Sequence, residues 1–92
     1  IVMIRSRESS PQRNQREAMR DMIVSGLQRK GPVDAPNWEY LLVNELGIHV
    51  PKGSRRQWRK ALFSLKYKYR CLRVVPFRHQ NGERWGRYIY VD

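Results

Sequence analysis

The chain has one cysteine, Cys71, in 92 residues, so no internal disulfide can form. Its stability must come from packing. With no secretory signal pattern visible, a reducing compartment is expected, cytoplasmic (nucleoid-associated) or nuclear, and secretion is not. Apolar runs stop at three or four residues, far short of the roughly 20 that a membrane-spanning helix needs. His49 and His79 lie far apart, and no Cys/His pair has zinc-ligand spacing, so no metal site is expected. There is no glycine-rich phosphate cradle, no paired carboxylates beside a base and no Ser/His/Asp arrangement. Catalysis, cofactors and small-molecule ligands are therefore not expected. Acids are also scarce in one half. Residues 51–92 hold two acids against twelve Lys and Arg, whereas residues 1–50 hold six against seven.

Nearly all of the net charge of +11 thus sits in the C-terminal half. Charge of one sign gathered on one side repels itself, which a fold does not need and a polyanionic partner would offset. That half is not a basic tail. Trp58, Phe63, Tyr67, Tyr69, Phe77, Trp85, Tyr88 and Tyr90 are interleaved with the cations, so the charge belongs on a folded, shaped surface. With 40% hydrophobic and 11% aromatic residues, the chain suits one small domain with a modest core. Residues 1–8 read as a flexible or extended segment and 9–92 as the domain.

Ser9 and Ser10 before Pro11 signal a helix start. Ala18, Met19, Met22, Ile23 and Leu27 form an apolar stripe that Gly31-Pro32 ends. Gly26 within the stripe leaves room for a close neighbour. Gly31–Pro36 is a connector, with Pro32-Val33 a short extended stretch. Asn37 or Asp34 caps a second helix with the stripe Trp38, Leu41, Leu42 and Leu46, stopped by Gly47. Ile48 and Val50 anchor the turn that follows. Ser54 with Gln57 three residues later is a capping-box pattern. It opens a third helix to about Lys68, with the stripe Trp58, Ala61, Leu62, Leu65 and Tyr69. Its other side carries Arg55, Arg56, Arg59, Lys60, Phe63, Lys66 and Tyr67. Cys71–Phe77 reads as a strand, with Pro76 marking an edge or an end. Asn81-Gly82 is a hairpin turn signal, and Arg87–Val91 is the return strand. Cys71 reads as a small buried residue rather than a nucleophile.

Helix, helix, helix and a basic hairpin, in that order, resemble the winged helix-turn-helix family of DNA-binding domains. The resemblance spans about Ser9–Val91. It is carried by Leu42-Val43-Asn44-Glu45-Leu46-Gly47-Ile48, by Ser54-Arg55-Arg56-Gln57-Trp58-Arg59-Lys60-Ala61-Leu62, by Leu72-Arg73-Val74 and by Asn81-Gly82-Glu83-Arg84-Trp85-Gly86-Arg87-Tyr88. It implies an α+β, mainly α, three-helix winged-helix domain with a C-terminal two-stranded β-hairpin wing. The segment Gly47–Gly53 departs from the family in being longer than the usual tight turn.

A B-DNA major groove is about 12 Å wide and admits one helix, whose N-terminal residues come closest to the bases. Here those are Ser54, Arg55, Arg56 and Arg59, with Ser54 also suited to a phosphate. Lys52, Lys60 and Lys66 suit phosphates. The resemblance implies that the wing cations Arg78, Arg84 and Arg87 hold the backbone or the minor groove, with His79, Gln80 and Asn81 at the tip beside them. Trp58 reads as core, being on the stripe with Leu62 and Leu65. Phe63 and Tyr67 stand open between DNA contact and covering the hairpin. Trp85 reads as packing across strands. The leading function is sequence-specific binding of double-stranded DNA, in transcription regulation or in replication or recombination of a mobile element. A homodimer would use the N-terminal segment and first helix. RNA binding is an alternative, kept alive by Tyr88 and Tyr90 on one strand face, as is a protein-interaction module with an acidic partner. A membrane-surface role fails because the apolar stripes are needed for the core.

Overall fold

The structure, a computed structural model, describes residues 11–92, with side chains from Asn14 onward. The segment 1–8 and the Ser9-Ser10 cap lie outside the described residues. Helix α1 runs over Pro11–Lys30. It ends where Gly31 takes a positive φ of 80° and donates its N–H to the Leu27 carbonyl at 2.7 Å. Only glycine adopts that backbone without strain, so Gly31 is the stop that the sequence suggests.

The connector then forms strand β1, Val33–Ala35. Next comes the short helix α2, Trp38–Tyr40, whose Asn37 cap accepts the Tyr40 N–H at 2.8 Å. The helix widens immediately into a π turn over Leu41–Glu45, in which the Leu46 N–H reaches the Leu41 carbonyl at 2.9 Å. The second helix is thus shorter and looser than a regular stripe predicts. Leu41, Leu42 and Leu46 are buried all the same, as the stripe predicts. Gly47, φ 68°, ends it. Ile48 is buried and Val50 half-buried, so both anchor the long turn as their apolar character requires.

A 3-10 turn, Lys52–Ser54, leads into helix α3, Arg55–Tyr67. The capping box does not form. Ser54 sits at ψ 4° at the end of the 3-10 turn, and its hydroxyl donates back to the Pro51 carbonyl at 2.9 Å. A cap needs an extended backbone at that position. Trp58, Ala61, Leu62 and Leu65 are buried as the stripe predicts. Tyr69 is not. It lies beyond the end of α3, is exposed, and rests between the Arg20 guanidinium at 4.8 Å and the Lys68 ammonium at 5.5 Å.

Strands β2, Leu72–Arg78, and β3, Arg84–Tyr90, form the hairpin. The return strand begins three residues before the expected Arg87, and the turn shrinks to 79–83. There Gly82, φ 86°, donates its N–H to the His79 carbonyl, and the Asn81 carboxamide accepts the Glu83 N–H at 3.0 Å. The sheet is three-stranded and antiparallel, in the order β1-β3-β2. This corrects the two-stranded reading, since β1 joins β3 through Val33↔Tyr88, Asp34↔Arg87 and Ala35↔Gly86. Pro76 lies on the edge strand β2, where a missing N–H is tolerated.

The molecule is therefore a small α+β domain with three helices against one face of the sheet. Met19, Ile23 and Leu27 of α1 meet Leu62 and Leu65 of α3, with Val33, Leu72 and Tyr88 from the sheet in the same core. Ile23, Leu27, Leu41, Leu42 and Leu62 are fully buried, each contributing roughly 1.5–3 kcal/mol. Gly26 lets α1 approach Leu46. A Cβ there would stand 3.1 Å from a Leu46 methyl, the close packing its place in the stripe suggests. Among the described residues no helix is long and apolar enough to cross a membrane.

Candidate nucleic-acid interface

The stretch 46–82 contains no Asp or Glu and ten Lys or Arg. It forms the long turn, α3 and β2. Within α3, a 100° step per residue sets Arg56, Lys60, Phe63 and Tyr67 opposite the buried Trp58, Ala61, Leu62 and Leu65. Arg56 and Lys60 are exposed, and Tyr67 is 68% exposed. Phe63 is half-buried, covered by the Tyr67 ring at 6.3 Å and the Arg59 guanidinium at 5.1 Å. Lys66 is half-buried, with its ammonium 4.9 Å from the Tyr67 ring. The open question over Phe63 and Tyr67 thus divides. Phe63 packs partly buried against the core, and Tyr67 is offered to solvent.

Arg55 differs from its neighbours. Its guanidinium makes two hydrogen bonds to Glu39, both 2.9 Å, and lies 5.5 Å over the Trp38 ring. Those bonds, then the carboxylate charge, raise its pKa above the ordinary guanidinium value. Arg55 is a brace between α2 and α3, and of the residues at the α3 start it is the one least able to reach outward. Ser54 is likewise turned inward to the Pro51 carbonyl. Arg56, Arg59 and Lys60, by contrast, have no carboxylate partner among the described residues.

The hairpin divides its cations by strand alternation. Arg78 and Arg84 are directly opposed in the last rung and share the sheet face of Leu72, Val74 and Tyr88, which is the helix side. Like charges in that position repel. Arg78 donates to the Gly82 carbonyl at 3.2 Å, while Arg84 is exposed and unpaired among the described residues. Arg87 points to the other face, where it grips Asp34 at 2.7 and 3.2 Å and lies 5.2 Å over Phe77. The Arg87 hydrogen bonds lower the Asp34 pKa below its usual value; slight burial opposes this, and the Arg87 and His79 charges add to it. His79 packs edge-on to Trp85 at 4.3 Å and beside Phe77 at 5.3 Å. Trp85 and Phe77 form a cross-strand pair, as packing across strands requires. Gln80 and Asn81 are exposed at the tip, and Lys52 is exposed in the 3-10 turn.

The candidate residues therefore fall into three groups. Lys52, Arg56, Arg59 and Lys60 gather at the start of α3. Arg78 and Arg84 stand at the hairpin tip on the helix side. Arg87 and Arg55 serve as internal braces. Sequence reasoning misses Glu39 and Asp34, the two carboxylates that remove charge from the surface. It also misses Trp38 as more than core. No local signal marks them, because their partners lie 16 and 53 residues away. Tyr88 is 7% exposed, its phenol pKa pushed up by burial. Tyr90 packs half-buried against the same core. Cys71 is half-buried. Among the described residues no three His, Cys, Asp or Glu side chains gather to hold a metal ion. No protein family, curated protein or solved structure matches the chain.

Proposed function

We propose that this chain is a winged helix-turn-helix domain that binds double-stranded DNA, with α3 in the major groove and the β2–β3 hairpin as the wing. The observation that carries the reading is the acid-free stretch 46–82, folded so that α3 presents Arg56 and Lys60 away from the core. Further support comes from the element order α1-β1-α2-α3-β2-β3 and the sheet order β1-β3-β2. At 1.5 Å per residue α3 is about 20 Å long, enough to lie in one groove. Exposed Arg56 is suited to form two hydrogen bonds with guanine O6 and N7, worth roughly 1–3 kcal/mol of discrimination. Lys60, Lys66, Arg78 and Arg84 are suited to phosphates. A regulatory or mobile-element role, in a cytoplasmic or nuclear setting, belongs to the same reading. A homodimer through α1 belongs to it too, because Ala18 and Met22 are exposed on the outer side of that helix.

The RNA alternative has less support. The two tyrosines that recommend it, Tyr88 and Tyr90, lie on the helix side of the sheet and do not form an open platform. Selection of bound sites from random duplexes, with random RNA as the control, tests the proposal. Enriched duplex sequences that lose preference in Arg56→Ala support it. Preferential recovery of RNA, or binding that ignores salt, refutes it.

A further inference from the structure

The start of α3 is concave. A cleft of about 540 Å³ lies between α2 and the 3-10 turn, walled by Trp38, Lys52, Gly53, Arg55, Arg56 and Arg59. Four of the six walls are cationic and none is acidic. Glu39 approaches from outside the cleft and neutralises one of them, Arg55, so the cleft keeps three uncompensated positive charges. The arrangement is braced rather than loose. Glu39 fixes Arg55, Arg55 covers the Trp38 ring, and Arg59 rests over Phe63. Gly53 presents bare backbone, with open space where a side chain would stand. A convex reading helix needs no such hollow beside it. Gathering like charges around one hollow is unfavourable until an anion enters.

We infer that this cleft is a phosphate-binding site, distinct from the outward stripe of α3. It takes one phosphate group of a nucleic acid, held by Lys52 and Arg59 against the wall of Arg55 and Trp38, while Arg56, on its rim, stays with the outward stripe. Guanidinium groups match phosphate oxygens with paired hydrogen bonds, and a lysine adds a point charge. The inference rests on the proposed function for the source of the phosphate, a backbone phosphodiester or a 5′-terminal phosphomonoester. Its chemistry can be tested without DNA. A seated phosphate would fix α3 relative to the strand and leave base reading to the outward stripe.

The test is a titration of the ¹⁵N-labelled chain with pyrophosphate at fixed ionic strength. The expected result is a saturable shift confined to the Gly53 amide, the Trp38 indole N–H and their neighbours. Lys52→Ala and Arg59→Ala should each weaken it at least about tenfold, the size of losing one charge-assisted hydrogen bond. Both residues are exposed, so thermal melting should match the parent, and Arg59→Lys should recover part of the affinity. Shifts that never saturate, or that are equal at the hairpin tip around Arg84, overturn the inference. Duplexes with and without a 5′-phosphate then identify the source. Tighter binding of the phosphorylated duplex, lost in Lys52→Ala, assigns a strand end. Equal affinity with the same loss assigns the backbone. Duplex binding that stays salt-dependent but indifferent to Lys52→Ala and Arg59→Ala removes the cleft and leaves the proposed function standing. Pyrophosphate binding without duplex binding removes the proposed function and leaves the cleft.

Discussion

Salt dependence of duplex binding offers the sharpest check on the proposed DNA interface. Nine of the candidate contacts are Lys or Arg, Lys66 included, but Arg55 and Arg87 are held by Glu39 and Asp34. Seven are left without a carboxylate: Lys52, Arg56, Arg59, Lys60, Lys66, Arg78 and Arg84. If each displaces one condensed counterion, the slope of log affinity against log salt is about −6 on the 0.9-per-contact rule. Affinity should then fall by roughly three to four powers of ten between 50 and 200 mM salt. Arg56→Ala should reduce the slope by about one. The double variant Arg55→Ala/Glu39→Ala removes one charge of each sign and should leave the slope unchanged. Arg55→Ala alone should bind more weakly than the double variant, because it bares Glu39 beside the DNA. Fluorescence anisotropy with one labelled duplex across a salt series measures all four proteins. A double variant that loses as much slope as Arg56→Ala would refute the reasoning, since Arg55 must then leave Glu39 to meet a phosphate.

Three further outcomes concern the fold. Leu62→Ala empties a fully buried site between α1 and α3 and should cost about 2–5 kcal/mol in urea unfolding, with an unchanged m value. Gly86→Ala places a Cβ 3.0 Å from the Val74 side chain in the middle strand; it should lower stability by about 1–3 kcal/mol, read by thermal melting. The Asp34 carboxyl has a pKa below its ordinary 3.8 when folded. Its contribution is therefore complete above that value and is lost as pH falls through the lowered one. Stability measured from pH 6 down to pH 2 should accordingly drop more steeply below pH 4 in the parent than in Asp34→Asn, and parallel curves would contradict the Asp34–Arg87 brace.

Features that depend on neighbours in sequence were legible. The stripe Trp58, Ala61, Leu62 and Leu65 is buried as its spacing says, Gly31 and Gly47 end their helices, and Asn81-Gly82 makes the turn. Features that depend on distant partners were not. Val33–Ala35 is too short to read as a strand and becomes one only by pairing with residues more than fifty positions later. Ser54 has the right neighbour for a capping box, yet the 3-10 turn before it sets a backbone angle that turns its hydroxyl away. Periodicity carried Tyr69 onto the core stripe, but α3 stops at Tyr67 and Arg70 reverses the chain with φ 57°. The candidate site shows the same division. Residue type and helix position pick out candidate cations, while their engagement is tertiary: Arg55 and Arg56 are adjacent and identical, and only the fold makes one a brace.

The Arg78↔Arg84 rung has a consequence for motion. The ladder starts at Leu72↔Tyr90 beside the core, and its last step sets two like charges face to face. That repulsion weakens the last rung, so the ladder should open there before it opens at its root. If the hairpin is the wing proposed above, a phosphate between the two arginines would offset their repulsion, so binding would also firm the tip.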